Sequence, residues 1–198
     1  MERVRRTLEV VTHNDASPFV RALLSKAWRN NITCNVVREF TGTSDPVVID
    51  RDNYSKNPFL SFDQDIDHCV WSGASCSSKA TYDLLPLLGV GDRVCMIGDG
   101  HSVSGLEERL RYRGVKVAIC DTRTSFLDSV LDHVAPKVII CSAPQLSQSL
   151  SLRKETVVDL SGAMKEFSRG DYVGPKAIGG LCTDYIIQGV NNFYNSRI

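Results

Sequence analysis

The residues best placed to do chemistry gather at one turn. Gly98, Asp99, Gly100, His101, Ser102, Val103, Ser104 and Gly105 follow the apolar run RVCMI and precede a charged, helix-forming stretch. Glycine at such a strand-to-helix turn lets the main chain approach a diphosphate, and the N–H groups that open the helix can receive it. The first two glycines of the GxGxxG spacing are present, but Val103 takes the third place and Gly105 comes two residues later. Asp121 closes the next apolar run, about 20 residues on, where an acidic group commonly takes ribose hydroxyls. Thr122 and Arg123 follow it. An arginine there can instead accept a 2′-phosphate, so NAD and NADP both stay open. His101 and Ser102 can hydrogen-bond a phosphate; for His101 the alternative is an exposed helix-start residue. Gly98, Gly100, His101, Ser102, Gly105, Asp121, Thr122 and Arg123 are thus candidate dinucleotide contacts. The alternative is a tight turn without ligand, with Asp121 capping the loop after it.

Regular elements must position that turn. In the second half, strands at 93–97, 115–120, 137–141 and 156–160 enclose helices at 105–113 and 125–133, and a last helix covers 182–193. In the first half a strand at 7–12 leads to a helix capped by Asn14 or Asp15, with Pro18 in its first turn. Phe19, Val20, Leu23, Leu24 and Ala27 recur there at helical spacing. Strands at 32–37 and 46–50 follow. Residues 51–81 show no periodicity, and 81–89 reads as a helix interrupted by Pro86 and stopped by Gly89. Strands alternating with helices make parallel βαβ units. The expected fold is α/β, a Rossmann-like parallel-sheet domain with a smaller N-terminal α/β lobe.

Bulk properties narrow the partners. Lysine plus arginine (23) balances aspartate plus glutamate (23), which argues against general nucleic-acid binding, since that affinity comes from neutralising phosphates. Seven cysteines without CxxC spacing indicate neither a zinc ribbon nor a redox dithiol motif, and fit a reducing compartment. The N-terminal MERVRRTLEVV lacks the apolar stretch of a secretory signal, and no apolar run approaches the ~20 residues that span a bilayer. A soluble cytoplasmic protein is expected, with no membrane partner and no metal. HExxH, GK[ST] and GxSxG patterns do not occur.

Several stretches, taken in order, resemble the methylenetetrahydrofolate dehydrogenase/cyclohydrolase family. LEVVTHNDASPFVRALLSKA is similar to that family's first strand and GDDPAS…YV…K helix. QDIDH (64–68) resembles KDVDG, GDRVCMIGDGHSVSG the GRSxxVG cofactor turn, and VAICDTRTSFLD the second nucleotide strand. KETVVDLSG resembles KPGAIVIDVG, and GGLCTDYIIQGV resembles GGVGPMTxxxLxxN. The resemblance implies a two-lobed enzyme in which a folate-type small molecule gives hydride to NAD or NADP. Residues 1–88 would form a shortened substrate-type lobe, 89–181 the NAD(P)-binding domain, and 182–198 a helix returning to the first lobe. Asp67 would hold the pterin; read from its residues alone, its loop is equally a hydrated acidic one. Gly180 and Thr183 would join the cofactor contacts, and a homodimer through the cofactor lobe would be expected.

The helix after the first strand departs from the family. Its tyrosine aligns with Val20 and its lysine with Leu24, and neither replacement carries a proton. Lys26 lies about 200° around the helix from Leu24 and is the one candidate catalytic residue there; its alternative is a solvated surface lysine. Cyclohydrolysis is therefore not expected, whereas hydride transfer stays open because the cofactor performs it. A catalytically inactive binding or assembly module on the same fold is the second reading. An S-adenosylmethionine-dependent methyltransferase is the third, since MIGDG and an acidic strand end also suit that ligand.

Overall fold

A computed structural model describes residues 5–50, 70–98, 105–121, 126–150, 152–162 and 171–197. The chain divides into two compact units, Met1–Ala80 with Gly179–Ile198, and Thr81–Ile178.

The first unit is built on strand β1 (Arg6–Val11), whose last four residues are buried. Helix α1 (Pro18–Arg29) follows and turns Val20, Leu23 and Ala27 inward. Its cap is Ser17 rather than Asn14 or Asp15, with Ser17 Oγ accepting from Val20 N at 3.2 Å. Pro18 explains the difference: it is pre-set for the first helical position and forces the residue before it into extended backbone, which is the cap geometry. Asn31 reverses the chain at φ 58°. Strands β2 (Ile32–Val37), β3 (Val47–Ile49) and β4 (Val70–Ser72) complete an all-parallel sheet in the order β2-β1-β3-β4.

Helix α2 (Gly73–Leu84) starts within the stretch that has no apolar period and ends before Pro86, so the helix expected at 81–89 is displaced toward the N-terminus. Its sequence, GASCSSKATYDL, is poor in strong helix formers, yet Cys76 and Ala80 are small enough to pack fully buried. Pro86 disfavours helical backbone at Leu85 and sets the end.

The second unit carries β5 (Arg93–Ile97), α3 (Leu106–Tyr112), β6 (Lys116–Cys120), α4 (Leu127–Val134), β7 (Val138–Cys141), a 3-10 turn at Pro144–Leu146, α5 (Ser147–Leu150) and β8 (Thr156–Asp159). These elements follow the expected alternation. A two-residue strand β9 (Tyr172–Val173), too short for any period, extends the sheet to β6-β5-β7-β8-β9, again all parallel. Its core joins Cys95, Ile97, Ile139, Cys141 and Val157 of the sheet to Leu127 and Leu131 of α4.

Helix α6 (Pro175–Asn195) begins seven residues before the expected start at 182. Pro175 suits a first turn, and the Gly179–Gly180 pair hides the helix from a propensity reading. Its later turns belong to the first unit, where Arg6 donates to Asn191 at 2.7 Å and Tyr194 Oη donates to Asp45 Oδ1 at 3.0 Å. Among the described residues no helix is long and apolar enough to cross a membrane.

Candidate functional site

In open parallel sheets ligands sit beyond the carboxyl ends of the strands, at the crevice where the strand order reverses. In the second unit that crevice lies between β5 and β7. Gly98 leaves β5 at φ 107°, a conformation that side-chain-bearing residues rarely adopt. A Cβ there would collide with Ser142 Oγ, at the residue that follows β7. The main chain is pinned on both sides: Gly98 N donates to Cys120 O at 3.3 Å, and Ser142 N donates to Ile97 O at 2.9 Å. Asp121 follows β6 directly and is exposed. Gly98 and Asp121 therefore end adjacent strands on the same edge, as the spacing required.

Gly105 is the cap of α3, at φ 79° and without a side-chain cap bond. The first turn of α3 holds Glu107 and Glu108, and Glu107 accepts from Arg111 Nε at 2.7 Å. Gly100, His101, Ser102, Thr122 and Arg123 lie outside the described residues, as does Asp67.

The same edge of the second unit holds a carboxylate with a structural task. Asp159, fully buried at the end of β8, accepts from Ser161 N at 2.9 Å, Ser161 Oγ at 2.6 Å and Gly162 N at 3.1 Å. Its other oxygen accepts from Tyr172 Oη at 3.1 Å, tying β8 to β9. These bonds shape the turn after β8.

In the first unit Lys26 points at α6. Its Nζ donates to Thr183 Oγ1 at 3.5 Å and forms an ion pair with Asp184. Thr183, 2% exposed, has its hydroxyl donating to Gly180 O at 2.8 Å. The structure thus brings Lys26, Gly180 and Thr183 together, with Asp184 as the lysine's counter-ion. Val20 is fully buried, and Leu24 lines a groove of about 440 Å³ of mixed polarity with Trp28, Asn31, Ile32, Thr33 and Cys34. Neither position offers a titratable group.

One polar pair escaped the sequence reading. Thr12 and Asp50, 3% and 4% exposed, follow β1 and β3 at the crevice of the first sheet, and Thr12 Oγ1 donates to Asp50 Oδ2 at 2.7 Å. The available signal was PVVID, an apolar strand that ends in an acid. Among the described residues no group of three or more His, Cys, Asp or Glu could hold a metal ion.

No family model and no curated protein sequence matches the chain. Solved structures do resemble it. The FolD bifunctional methylenetetrahydrofolate dehydrogenase/cyclohydrolase from Campylobacter jejuni superposes with a TM-score of 0.62 at 14% identity, covering 98% of this chain and 90% of that one. The bifunctional 5,10-methylenetetrahydrofolate dehydrogenase/cyclohydrolase from Thermoplasma acidophilum gives 0.52 at 12%, over 94% and 87%. Aspartate transcarbamoylase from Trypanosoma cruzi gives 0.51 at 12%, over 93% and 82%. The likeness is one of fold. A Rossmann-like, parallel-sheet α/β architecture is established by it, and several chemistries share that architecture.

Proposed function

We propose that the second unit binds a dinucleotide, NAD or NADP, and that the chain is a methylenetetrahydrofolate-dehydrogenase-like protein. In this reading hydride transfer from a folate-type molecule is retained and efficient cyclohydrolysis is lost. The observation that carries it is the Gly98 joint. Positive-φ glycine follows β5 at the order-reversing crevice, beside a strand followed by exposed Asp121. A dinucleotide fits this edge: a strand end without a side chain, and a carboxylate that accepts from a ribose diol. The cofactor supplies the hydride chemistry; the chain's own contribution is to bind and orient. Gly98, Gly100, His101, Ser102, Gly105, Asp121, Thr122 and Arg123 are assigned to the dinucleotide; by the family resemblance Gly180 and Thr183 are assigned to it as well, and Asp67 to the pterin. Lys26, held between Thr183 and Asp184, is the cation of α1 assigned to orienting a substrate carboxylate or carbonyl. A homodimer is supported by Ile119, 60% exposed on the edge strand β6.

The second reading, a binding module without turnover, is favoured by one observation: Val20 is sealed in the core and Lys26 is already neutralised by Asp184. Thermal-shift titrations with NAD, NADP, S-adenosylmethionine and a folate analogue separate the ligand classes, because a ligand that binds only the folded state raises Tm. A shift with a dinucleotide that weakens roughly tenfold in affinity on Asp121→Ala supports the proposal. Absorbance at the reduced-nicotinamide band with methylenetetrahydrofolate then reads turnover; dinucleotide binding without that signal selects the second reading. A flat response to both dinucleotides overturns the first reading, and a shift with S-adenosylmethionine alone moves the chain to methyl transfer.

A further inference from the structure

Cys95 and Cys120 sit on neighbouring strands of the second sheet with their sulfurs 3.2 Å apart. A disulfide needs about 2.05 Å, so the gap is only about 1.2 Å wide. The two residues do not share a rung: Cys95 pairs across with Ala118, and Cys120 pairs with Ile97. A bond between them would therefore run diagonally and draw the carboxyl end of β6 against β5. We propose that this thiol pair is a modification site, at which a peroxide-class oxidant forms a reversible disulfide that weakens the Gly98–Asp121 edge.

Neighbouring groups select this pair. Cys141, the third buried thiol of that core, is engaged at Ala143, donating to Ala143 O and accepting from Ala143 N, each at 3.4 Å. Cys34, Cys76 and Cys182 belong to the other unit. Burial, and then the hydrogen bond with Cys120, push the Cys95 thiol far up and hold it protonated. Cys120 is the last residue of an edge strand and, at 7% exposure, the more accessible of the two. Local fraying of that edge exposes it first.

The chemistry balances without help from the fold. The Cys120 thiolate attacks one peroxide oxygen and the O–O bond breaks; the sulfenic acid forms and the first water leaves. The Cys95 thiol then displaces the sulfenic oxygen: the S–S bond forms, the S–O bond breaks, and a second water departs. Two thiols give up two electrons and two protons, and one hydrogen peroxide becomes two waters. A dithiol reductant reverses the change.

The link to the site is direct. Cys120 O is the acceptor for Gly98 N, and Asp121 is the next residue along the chain. Pulling Cys120 diagonally loosens that already long hydrogen bond and displaces the carboxylate. This second part rests on the dinucleotide reading above; the disulfide itself does not.

The test treats the reduced chain with hydrogen peroxide, blocks remaining thiols by alkylation, and maps peptides by mass spectrometry. The expected result is a Cys95–Cys120 cross-link, two hydrogens lighter, that disappears with dithiothreitol. It should persist in Cys141→Ala and vanish in Cys95→Ala and in Cys120→Ala. Over-oxidation to sulfinic acid, or cross-links only to other cysteines, overturns the site, and the mapping of the unaltered chain gives that answer without any variant. Titration with NAD or NADP before and after oxidation should show at least a tenfold loss of affinity, absent in Cys95→Ala. A cross-link with unchanged affinity overturns the coupling. A cross-link in a chain that binds no dinucleotide when reduced leaves the modification site standing and sinks the functional reading instead.

Discussion

In the first unit the residue after the central strand is Thr12; in the second it is Gly98. Thr12 N donates to Val37 O at 2.9 Å, and Gly98 N to Cys120 O at 3.3 Å, each at the end of the neighbouring strand on one side. On the other side Asp50 N donates to Val11 O at 2.8 Å, and Ser142 N to Ile97 O at 2.9 Å. One backbone joint is thus made twice, at the crevice of two sheets with the same internal strand order. The side chains differ. The first joint is filled by a hydroxyl bonded to a buried carboxylate, and the second is stripped to glycine against serine. What distinguishes the two joints is therefore chemistry rather than topology: a bonded hydroxyl–carboxylate pair closes one, and a serine packed against glycine closes the other.

The largest effect should come from filling the stripped joint. Gly98→Ala combines a positive φ with a collision at Ser142 Oγ, and should cost about 3 kcal/mol in urea denaturation. Adding Ser142→Gly should recover part of that loss, because only the collision is removed; no recovery would mean that the backbone angle alone decides. In the other joint Asp50→Ala leaves the buried Thr12 hydroxyl without its acceptor and should cost about 2 kcal/mol. Thr12→Val should cost a similar amount, and the double variant much less than the sum, which a double-mutant cycle reads directly. Equal sensitivity of both joints to added bulk would erase the contrast.

Smaller effects lie outside the joints. Glu155 feels burial, which raises its pKa, but the hydrogen bond from Arg153 and the backbone outweigh this and leave it below the ordinary glutamate value. A carboxyl lowered by folding stabilises above its unfolded pKa and loses that contribution as pH falls through the folded value. Acid titration of stability should therefore show a decline below the usual glutamate range that is shallower in Arg153→Met. Smallest is Lys26→Met: its ion pair with Asp184 is 32% and 58% exposed, so stability should move by about 0.5 kcal/mol or less. A larger loss, or a change in ligand affinity without a change in stability, would mark Lys26 as more than a surface contact.

How legible the chain was depended on periodicity. ITCNVV and RVCMI read as strands at their observed bounds, because β-branched and apolar runs of five or six residues between turn signals leave little choice. α2 was hidden, since serine, glycine and threonine disfavour helices intrinsically and its buried residues, Cys76, Ser78, Ala80 and Thr81, lack an apolar stripe. Ser17 lost to Asn14 and Asp15 as cap because the constraint from Pro18 was not weighed. At the site, Gly98 and Asp121 were visible as a spacing. Asp50 was not, because its meaning comes from lying next to Thr12, 38 residues away in sequence, and only the sheet order brings those strand ends together.

The closure of the first unit by the later turns of α6 has a consequence for synthesis. Arg6 and Thr7 find side-chain partners at Asn191 and Tyr194, so β1 leaves the ribosome almost the whole chain before these two contacts can form. The contiguous unit between them can mature first, as domains emerging in order generally do. Until that helix arrives the N-terminal sheet lacks these anchors, and a stop codon just before residue 179 would leave it without them.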